Sequence, residues 1–215
     1  MKNKLCITLL FSLTLLVFTL GIKASIPPAF TPAYQLETGD IVFQESNDGQ
    51  AIAVKAATGS RWSHTGIIFF RNNTPYVLEA IQPVTVTSLE RFAARSRGEI
   101  YALRLKDKSK INHATLNKAV EFSNTHMGKN YDRKFLWSDD NMYCSELVWK
   151  LYKEAFGIEL CKPRTFGSYD VDHHKVRSLI KQRFGDESLF PLDELAVAPS
   201  DIAQSNLLIE VPINK

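Results

Sequence analysis

The sequence has few cysteines, three in 215 residues. Cys6 lies in an apolar run near the start, so the rest of the chain holds only Cys144 and Cys161. At most one intrachain disulfide can therefore form outside that run. In an oxidising compartment such a bond would be a serious alternative. Each thiol is otherwise a packing residue or, for Cys144, a nucleophile.

Basic runs, internal repeats and low-complexity linkers are also absent. No cluster of Lys and Arg indicates a nucleic-acid partner, and no long amphipathic basic helix indicates a membrane surface. The formal charge is +3. Residues 1–24 carry three lysines and no acidic residue, so the remainder is formally neutral. We expect residues 25–215 to form one domain with an adequate core.

The first 24 residues are predicted to be a cleavable signal peptide. Lys2 and Lys4 precede an apolar run over residues 5–20, and Ala24 supplies a small residue before the cleavage point. The apolar run is slightly short for a membrane span. Cys6 lies too early in it to be lipidated at the cleavage point. We expect a periplasmic or secreted protein without a lipid anchor and without a membrane span after signal removal.

Local patterns predict an α+β fold, with helices around an antiparallel sheet. Apolar runs next to turn residues predict strands over residues 39–44, 64–70, 75–81 and 99–105. Helical spacing and stop signals predict helices over residues 50–58, 111–127 and 145–156, and a surface helix within 169–184. Thr87 and Glu90 have the spacing of a capping box that opens a short helix.

Cys144 stands just before the helix that is predicted to begin at Ser145. Unpaired N–H groups and the helix dipole lower the pKa of a thiol at this position, and they can stabilise an oxyanion. A Cys144–Cys161 disulfide is disfavoured by reach. The helix rises about 18 Å to Phe156, and the five residues beyond it span at most about 17–18 Å, with no slack for a turn. Cys161 is interpreted as a packing residue or a loop thiol.

A base for the thiol must come from the five histidines. His64 opens an apolar strand, where its side chain can project into a cleft; the alternative is a hydrogen-bonded edge histidine. The other four are interpreted as solvated surface residues: His113, His126, His173 and His174. The adjacent pair among them lacks a third ligand at a recognisable metal-site spacing, so no metal site is expected.

Hairpin register places Glu79 beside His64. If the turn is of even length and centred on Asn72 and Asn73, Ile81 faces His64, and Glu79 lies one diagonal step away on the same face. Such diagonals are roughly 7–8 Å between backbones, within reach of both side chains. A loop of odd length would turn Glu79 to the opposite face. A glutamate in an apolar strand needs a partner when it is buried. Cys, His and Glu would then act as nucleophile, base and orienting group.

Several motifs in this order resemble the circularly permuted papain-like hydrolases of the YiiX/YaeF type, in the NlpC-type cysteine peptidase superfamily. The resemblance covers about residues 35–205. It rests on Gly39-Asp40-Ile-Val-Phe, Ser63-His64-Thr-Gly-Ile, Val77-Leu-Glu-Ala80, Gly128-Lys-Asn-Tyr-Asp132, Trp137-Ser-Asp-Asp, Tyr143-Cys-Ser-Glu-Leu-Val-Trp149 and Val197-Ala-Pro-Ser-Asp-Ile-Ala. In ordinary members of the superfamily the cysteine comes first. Here it comes last, which is the permuted order shared with lecithin retinol acyltransferase-like proteins.

The resemblance implies the same three roles: Cys144 as nucleophile, His64 as base and Glu79 as orienting residue. Tyr131, in the G-x-x-Y stretch, resembles a substrate-cleft tyrosine of the superfamily, and an aromatic packing role is an equal alternative. Tyr143 is a second candidate for the cleft wall. Asp139 and Asp140, just before the helix, are interpreted as structural residues that cap it or complement its dipole.

Together these features predict an exported thiol hydrolase that forms a thioester on Cys144 and needs no metal or organic cofactor. Its expected substrate is a small molecule, peptide or lipid of the cell envelope, and amide hydrolysis is favoured. The alternatives are a lipid-directed acyl hydrolase or acyltransferase, and a module on the same fold that binds a peptide or acyl ligand without turnover. A structural protein with interchain disulfides is a third.

Overall fold

The computed structural model describes residues 34–96 and 99–212, so the predicted signal peptide lies outside the described residues. The strands are β1 (Ile41–Gln44), β2 (His64–Arg71), β3 (Thr74–Ala80), β4 (Val84–Ser88), β5 (Tyr101–Leu105), β6 (Arg164–Thr165), β7 (Leu195–Ala196) and β8 (Leu208–Glu210). The α-helices are α1 (Gly49–Thr58), α2 (Leu89–Ala94), α3 (His113–His126), α4 (Cys144–Phe156), α5 (His174–Phe184) and α6 (Pro199–Ala203). Within these described ranges, no helix combines the length and the apolar character needed to cross a membrane.

Six strands form one antiparallel sheet in the order β4-β3-β2-β1-β5-β8. The predicted α+β class is therefore confirmed, with β6 and β7 as a separate two-stranded pair. Two apolar layers cover the sheet because successive strand residues point to opposite faces. In β1, Ile41 and Phe43 face the layer that contains α3 and α4, whereas Val42 faces the layer that contains α2.

The β2–β3 hairpin has the predicted register. Arg71 pairs with Thr74 and Ile67 pairs with Leu78, so the turn contains only Asn72 and Asn73. Both asparagines have positive φ, 50° and 60°, which is the backbone of a type I′ turn and is tolerated by asparagine. This two-residue turn puts the start of β2 beside the end of β3.

Helix α4 is the centre of the larger core rather than a helix with one buried stripe. It buries 11 of its 13 residues and packs on α3, β2 and β3. Leu147, Leu151 and Tyr152 are completely buried, and each such side chain contributes roughly 1.5–3 kcal/mol of burial free energy. Gly157, with φ 69°, ends the helix in the left-handed conformation. The position of Cys144 is therefore set by the most tightly enclosed element of the protein.

The Gly-Asp motif before β1 has a structural role. Arg104 on β5 makes a bidentate pair with Asp40, with Nε 2.7 Å from Oδ1 and Nη2 2.6 Å from Oδ2. The same guanidinium binds Glu37 and the carbonyl of Gln35. A planar guanidinium suits such two-point contacts. The Arg104 side chain therefore connects the segment before β1 to the sheet.

Three local interpretations were wrong. Ser88, not Thr87, caps α2, because its side chain accepts the N–H of Arg91. The Thr87 hydroxyl instead donates to a buried carboxylate on β3. His126 is buried rather than solvated: it stacks on Phe122 at 4.0 Å and its Nδ1 lies 2.8 Å from the Phe122 carbonyl.

Capping of α4 by Asp139 or Asp140 was the third wrong interpretation, although Asp139 does have the structural role that was expected. The N-cap residue is Tyr143, in extended conformation. Asp139 instead accepts a hydrogen bond from Nζ of Lys150, in the second turn of the helix, at 2.7 Å. Strand β4 was not predicted, although its alternating Val84-Thr-Val-Thr sequence carries the signal of a strand.

Candidate active site

Cys144 is the first residue of α4 and is only 4% exposed. The backbone N–H groups of Thr65 and Ser145 interact with its sulfur and favour the thiolate. The Ser145 hydroxyl donates to the carbonyl of Val197 at 2.6 Å, so the segment before α6 fixes the first turn of α4. Cys144 and Cys161 are both free thiols, as the reach of the chain predicted. The thiol thus stands at a helix N-terminus, where N–H groups favour its ionised form.

His64 and Glu79 meet at one end of the sheet. His64 is the first residue of β2, and its Nε2 lies 2.6 Å from Oε2 of Glu79. Glu79 is completely buried on β3. Because Nε2 is engaged by the carboxylate, Nδ1 is the ring nitrogen that can exchange a proton with Cys144. The His64 ring and the Cys144 thiol are close enough to shift each other's pKa, so the structure brings the three predicted residues together.

Two residues that the sequence did not indicate complete the surroundings of Glu79. Thr87 on β4 donates its hydroxyl to Oε1, and Arg95, just after α2, places Nη2 2.5 Å from Oε2. Burial alone would raise the pKa of Glu79, but the hydrogen bonds from His64 and Thr87 and the charge of Arg95 lower it. Glu79 is therefore a buried carboxylate held in its ionised form.

The thiol and the imidazole shift each other toward an ion pair. Burial disfavours the charged ring of His64, yet the Cys144 sulfur and then Glu79 outweigh it and raise the pKa of His64 to about 9. Burial likewise opposes the thiolate, but His64 and the N–H groups of Thr65 and Ser145 lower the pKa of Cys144 below its ordinary value. A thiolate beside an imidazolium is the reactive form of a cysteine nucleophile.

Tyr131 also interacts with the Cys144 thiol. Its hydroxyl oxygen accepts the side-chain N–H of Gln50 at 2.8 Å. Burial, and after it the charge of Cys144, raises the pKa of Tyr131, so the phenol stays protonated. A parallel bridge to Met142 holds the Tyr131 backbone next to the residues that precede α4.

A cleft opens from Cys144 between α1 and α5. Its empty volume, measured out to the solvent, is about 820 Å³. Tyr143 lies in its wall as predicted, with its hydroxyl accepting the N–H of Val197 at 3.2 Å. The other walls are predominantly apolar and include Val54, Ala57, Phe135, Phe166, Val176, Ile180, Phe184 and Phe190. Cys144 thus faces a space suited to an apolar group.

Residues 35–211 match a protein family described as "Permuted papain-like amidase enzyme, YaeF/YiiX, C92 family". The chain belongs to this family. The permuted papain-like amidases are cysteine hydrolases, so the predicted fold and the predicted class of enzyme are both confirmed. The motif order in which the cysteine comes last is the permuted order of the family.

The chain is also similar to two individual members of the permuted papain-like amidase family. It is 36% identical over 211 residues to a protein named "Uncharacterized protein YiiX" from Escherichia coli K12, covering 98% of this chain and 96% of that one. A crystal structure described as metalloprotein yiiX from Escherichia coli O157:H7 has a TM-score of 0.77 at 35% identity. That match covers 84% of this chain and 99% of the other.

The description of that relative as a metalloprotein raises the question of a metal site in this amidase. Across residues 34–96 and 99–212, no group of three or more His, Cys, Asp or Glu side chains is arranged to hold a metal ion. Glu79 already has His64, Thr87 and Arg95 as partners. The side chains described here do not fit a resident metal, and we derive no step through one.

Proposed function

We propose that this amidase is exported and cleaves an amide bond whose acyl side carries an apolar group, through a thioester on Cys144. The observation that carries the proposal is the placement of an activated Cys144–His64 pair at the end of an apolar cleft. The predicted signal peptide supports an envelope substrate. The apolar cleft favours a fatty acyl chain or a large apolar side chain over a polar peptide.

In the first half of the reaction the Cys144 thiolate attacks the carbonyl carbon, and the carbonyl π electrons move to the oxygen. The first-turn N–H groups of α4 and the Tyr131 hydroxyl are the donors placed to stabilise this oxyanion. When the intermediate collapses, the C–N bond breaks, and the leaving amine takes a proton from the His64 imidazolium. The acyl group remains on Cys144 as a thioester.

In the second half a water molecule attacks the thioester carbonyl. Neutral His64 accepts a proton from this water, the C–S bond breaks, and Cys144 leaves as the thiolate. The acid is released, and the thiolate–imidazolium pair is restored. Glu79 stabilises the imidazolium at both stages and fixes Nε2, so that Nδ1 remains directed at the sulfur.

A series of amides with one leaving group tests the substrate. Aminocoumarin amides carrying acetyl, octanoyl, dodecanoyl and dipeptidyl groups differ only on the acyl side. We expect kcat/KM to rise at least about tenfold from acetyl to octanoyl, because several methylene groups become buried at about 0.8 kcal/mol each. Mass spectrometry of acid-quenched samples should find the acyl group on Cys144, and the Cys144→Ala variant serves as the control.

Two results would contradict this proposal in different ways. Faster hydrolysis of the dipeptidyl amide than of the octanoyl amide would indicate that the substrate is a peptide. Binding of the acyl compounds in the cleft, with neither turnover nor an adduct on Cys144, would support the binding-module alternative. Export is tested separately, by N-terminal sequencing of the periplasmic fraction, where a mature chain starting near Ser25 is expected.

A further inference from the structure

A hydrogen-bonded chain connects α5 to the nucleophile through Tyr131. Nη2 of Arg183 donates to Oε1 of Gln50 at 2.6 Å, and Nε2 of Gln50 donates to the Tyr131 hydroxyl oxygen at 2.8 Å. Tyr131 and Cys144 line the same cleft, and the interaction of the phenol with the thiol contributes to the raised pKa of Tyr131. Gln50 and Arg183 are 133 positions apart in the chain, and α1 packs on α5. The four side chains therefore form one continuous path.

The direction of each hydrogen bond follows from the chemistry of Arg183. A guanidinium has only donors, so the Gln50 atom that it contacts must be the amide oxygen. Without such a neighbour, the oxygen and nitrogen of a side-chain amide could be interchanged with almost no change in shape. Here the amide NH₂ group is forced toward Tyr131. The phenol oxygen accepts that N–H, and the single phenol hydrogen is left for an acceptor on the other side.

Arg183 is itself held in place by contacts other than Gln50. Its Nη1 donates to the carbonyl of Arg133, and its guanidinium carbon lies 4.9 Å from the ring centroid of Phe135. Phe135 has φ 58°, an uncommon backbone conformation for a bulky residue, and its ring contacts Tyr131 edge-on. The Arg183 guanidinium that orients Gln50 is therefore itself held by the Arg133 carbonyl and the Phe135 ring.

We propose that Gln50 and Arg183 are positioning residues that turn the Tyr131 hydroxyl proton toward Cys144. There the hydroxyl donates a hydrogen bond first to the sulfur and then to the oxyanion. This inference rests on the proposed function, since it assigns how one donor of that reaction is aimed. It adds that α5 contributes to catalysis as well as to the apolar wall of the cleft. The pair acts through Tyr131, and neither member needs to touch the reacting atoms.

The decisive comparison is between Gln50→Ala and Gln50→Glu. The alanine variant removes the amide and leaves the phenol hydrogen free to point at the site. The glutamate variant keeps the shape and the Arg183 contact but offers Tyr131 an acceptor, so the phenol turns its hydrogen away from Cys144. We expect acylation by 4-nitrophenyl octanoate to slow by about 3- to 10-fold in Gln50→Ala and by about 30- to 100-fold in Gln50→Glu. Both losses are smaller than the roughly 10²- to 10³-fold loss on complete removal of one oxyanion donor, because the phenol itself remains.

If Gln50 had only a structural role, Gln50→Ala should lose more acylation rate than Gln50→Glu, because the isosteric glutamate disturbs packing less than alanine does. The added charge is controlled by Gln182→Glu on the exposed part of α5, which should leave acylation within about twofold. In a Tyr131→Phe background, Gln50→Glu should cause little further loss, since the hydroxyl that it redirects is gone. Equal losses in the two Gln50 variants, or a full further loss in the Tyr131→Phe background, would overturn the inference.

A second measurement separates this inference from the proposed function. The Cys144 thiolate is titrated by its ultraviolet absorbance, with no substrate present. Gln50→Glu should raise the thiol pKa more in the wild-type background than in Tyr131→Phe, because only the former loses a donor to the sulfur. If wild-type protein is not acylated but this difference is present, the proposed reaction fails and the positioning role stands. If acylation occurs and the difference is absent, the positioning role fails alone.

Discussion

Cys144 is the first residue of α4 and Cys161 lies five residues after its end, and their surroundings give the two thiols opposite character. Burial disfavours ionisation of both. Around Cys161, burial, Asp201 and Glu159 raise the thiol pKa to about 12. Around Cys144, which is more deeply buried, an imidazolium and two backbone N–H groups overcome the effect of burial and lower the pKa. Burial therefore does not determine whether a cysteine is inert or reactive; the charge and the donors of its neighbours do.

The largest effect on activity should come from replacing Cys144 with alanine, and the same replacement at Cys161 is its matched control. Cys144→Ala should lose at least about 10³-fold of its activity toward the octanoyl amide, because the covalent path is removed. Cys161→Ala should keep activity within about twofold. The measurement is kcat/KM for both variants, with iodoacetamide labelling of the wild type located by mass spectrometry. Labelling of Cys161 at a rate similar to Cys144 would contradict the contrast between the two sites.

Removing the imidazole should make Cys144 resemble an ordinary buried thiol. In His64→Asn, loss of the cation should raise the Cys144 pKa, so alkylation by iodoacetamide should slow by about 10- to 100-fold at a pH near 6.5. The wild-type rate should rise less steeply with pH than the variant rate, because only the wild type has His64, in addition to the backbone N–H groups, to lower the pKa of the Cys144 thiol. Parallel pH profiles for the two proteins would show that His64 does not set the ionisation of the thiol.

Local patterns in the sequence predicted much of this site. The Asn72-Asn73 turn determines the register of its hairpin, so the pairing of His64 with Glu79 follows from the length of one turn. Cys144 was placed at a helix start by the change from polar to apolar residues, and the helix begins there. Both features depend on neighbours a few positions away, which a single sequence displays directly.

The partners that tune the site could not be predicted in the same way. Thr87 was interpreted as a helix cap because its spacing from Glu90 is correct, yet its hydroxyl is taken by a carboxylate on the adjacent strand. Gln50 and Arg183 are polar residues on two separate helices, with no pattern that connects them. Such contacts depend on how distant elements pack, and no local periodicity records that packing.

Glu79 should have a smaller effect than His64 because it acts through the ring. Glu79→Gln keeps the shape of the side chain but removes the charge that stabilises the imidazolium, so we expect kcat to fall by about tenfold with KM little changed. The wild-type pKa of His64 is raised to about 9 partly by Glu79, so NMR titration of the ring in the variant should give a lower value. Glu121→Gln, an exposed substitution on α3, is the control. An unchanged His64 titration would remove Glu79 from this role.

The first turn of α4 contains a second ionisable group that should affect stability rather than the thiol. Glu146 is completely buried. Nζ of Lys150 lies 2.8 Å from its Oε1, but that oxygen has no aligned hydrogen-bond partner. Burial therefore dominates, and it raises the pKa of Glu146 to about 7 from an ordinary 4.5. The native state favours the neutral acid, so this stability is fully present below about pH 4.5 and is lost as the pH rises through about 7.

Glu146→Gln should remove this pH dependence with the smallest effect on Cys144. The glutamine keeps the shape of the protonated acid, so the difference in unfolding free energy between about pH 5 and pH 8 should shrink by about 1–3 kcal/mol relative to wild type. Urea unfolding at both pH values measures it, with Glu121→Gln as the control. Alkylation of Cys144 should change by less than about twofold, because His64, rather than the charge two residues away, determines the state of this thiol. A larger change in alkylation would mean that Glu146 contributes to the contrast between the two thiols.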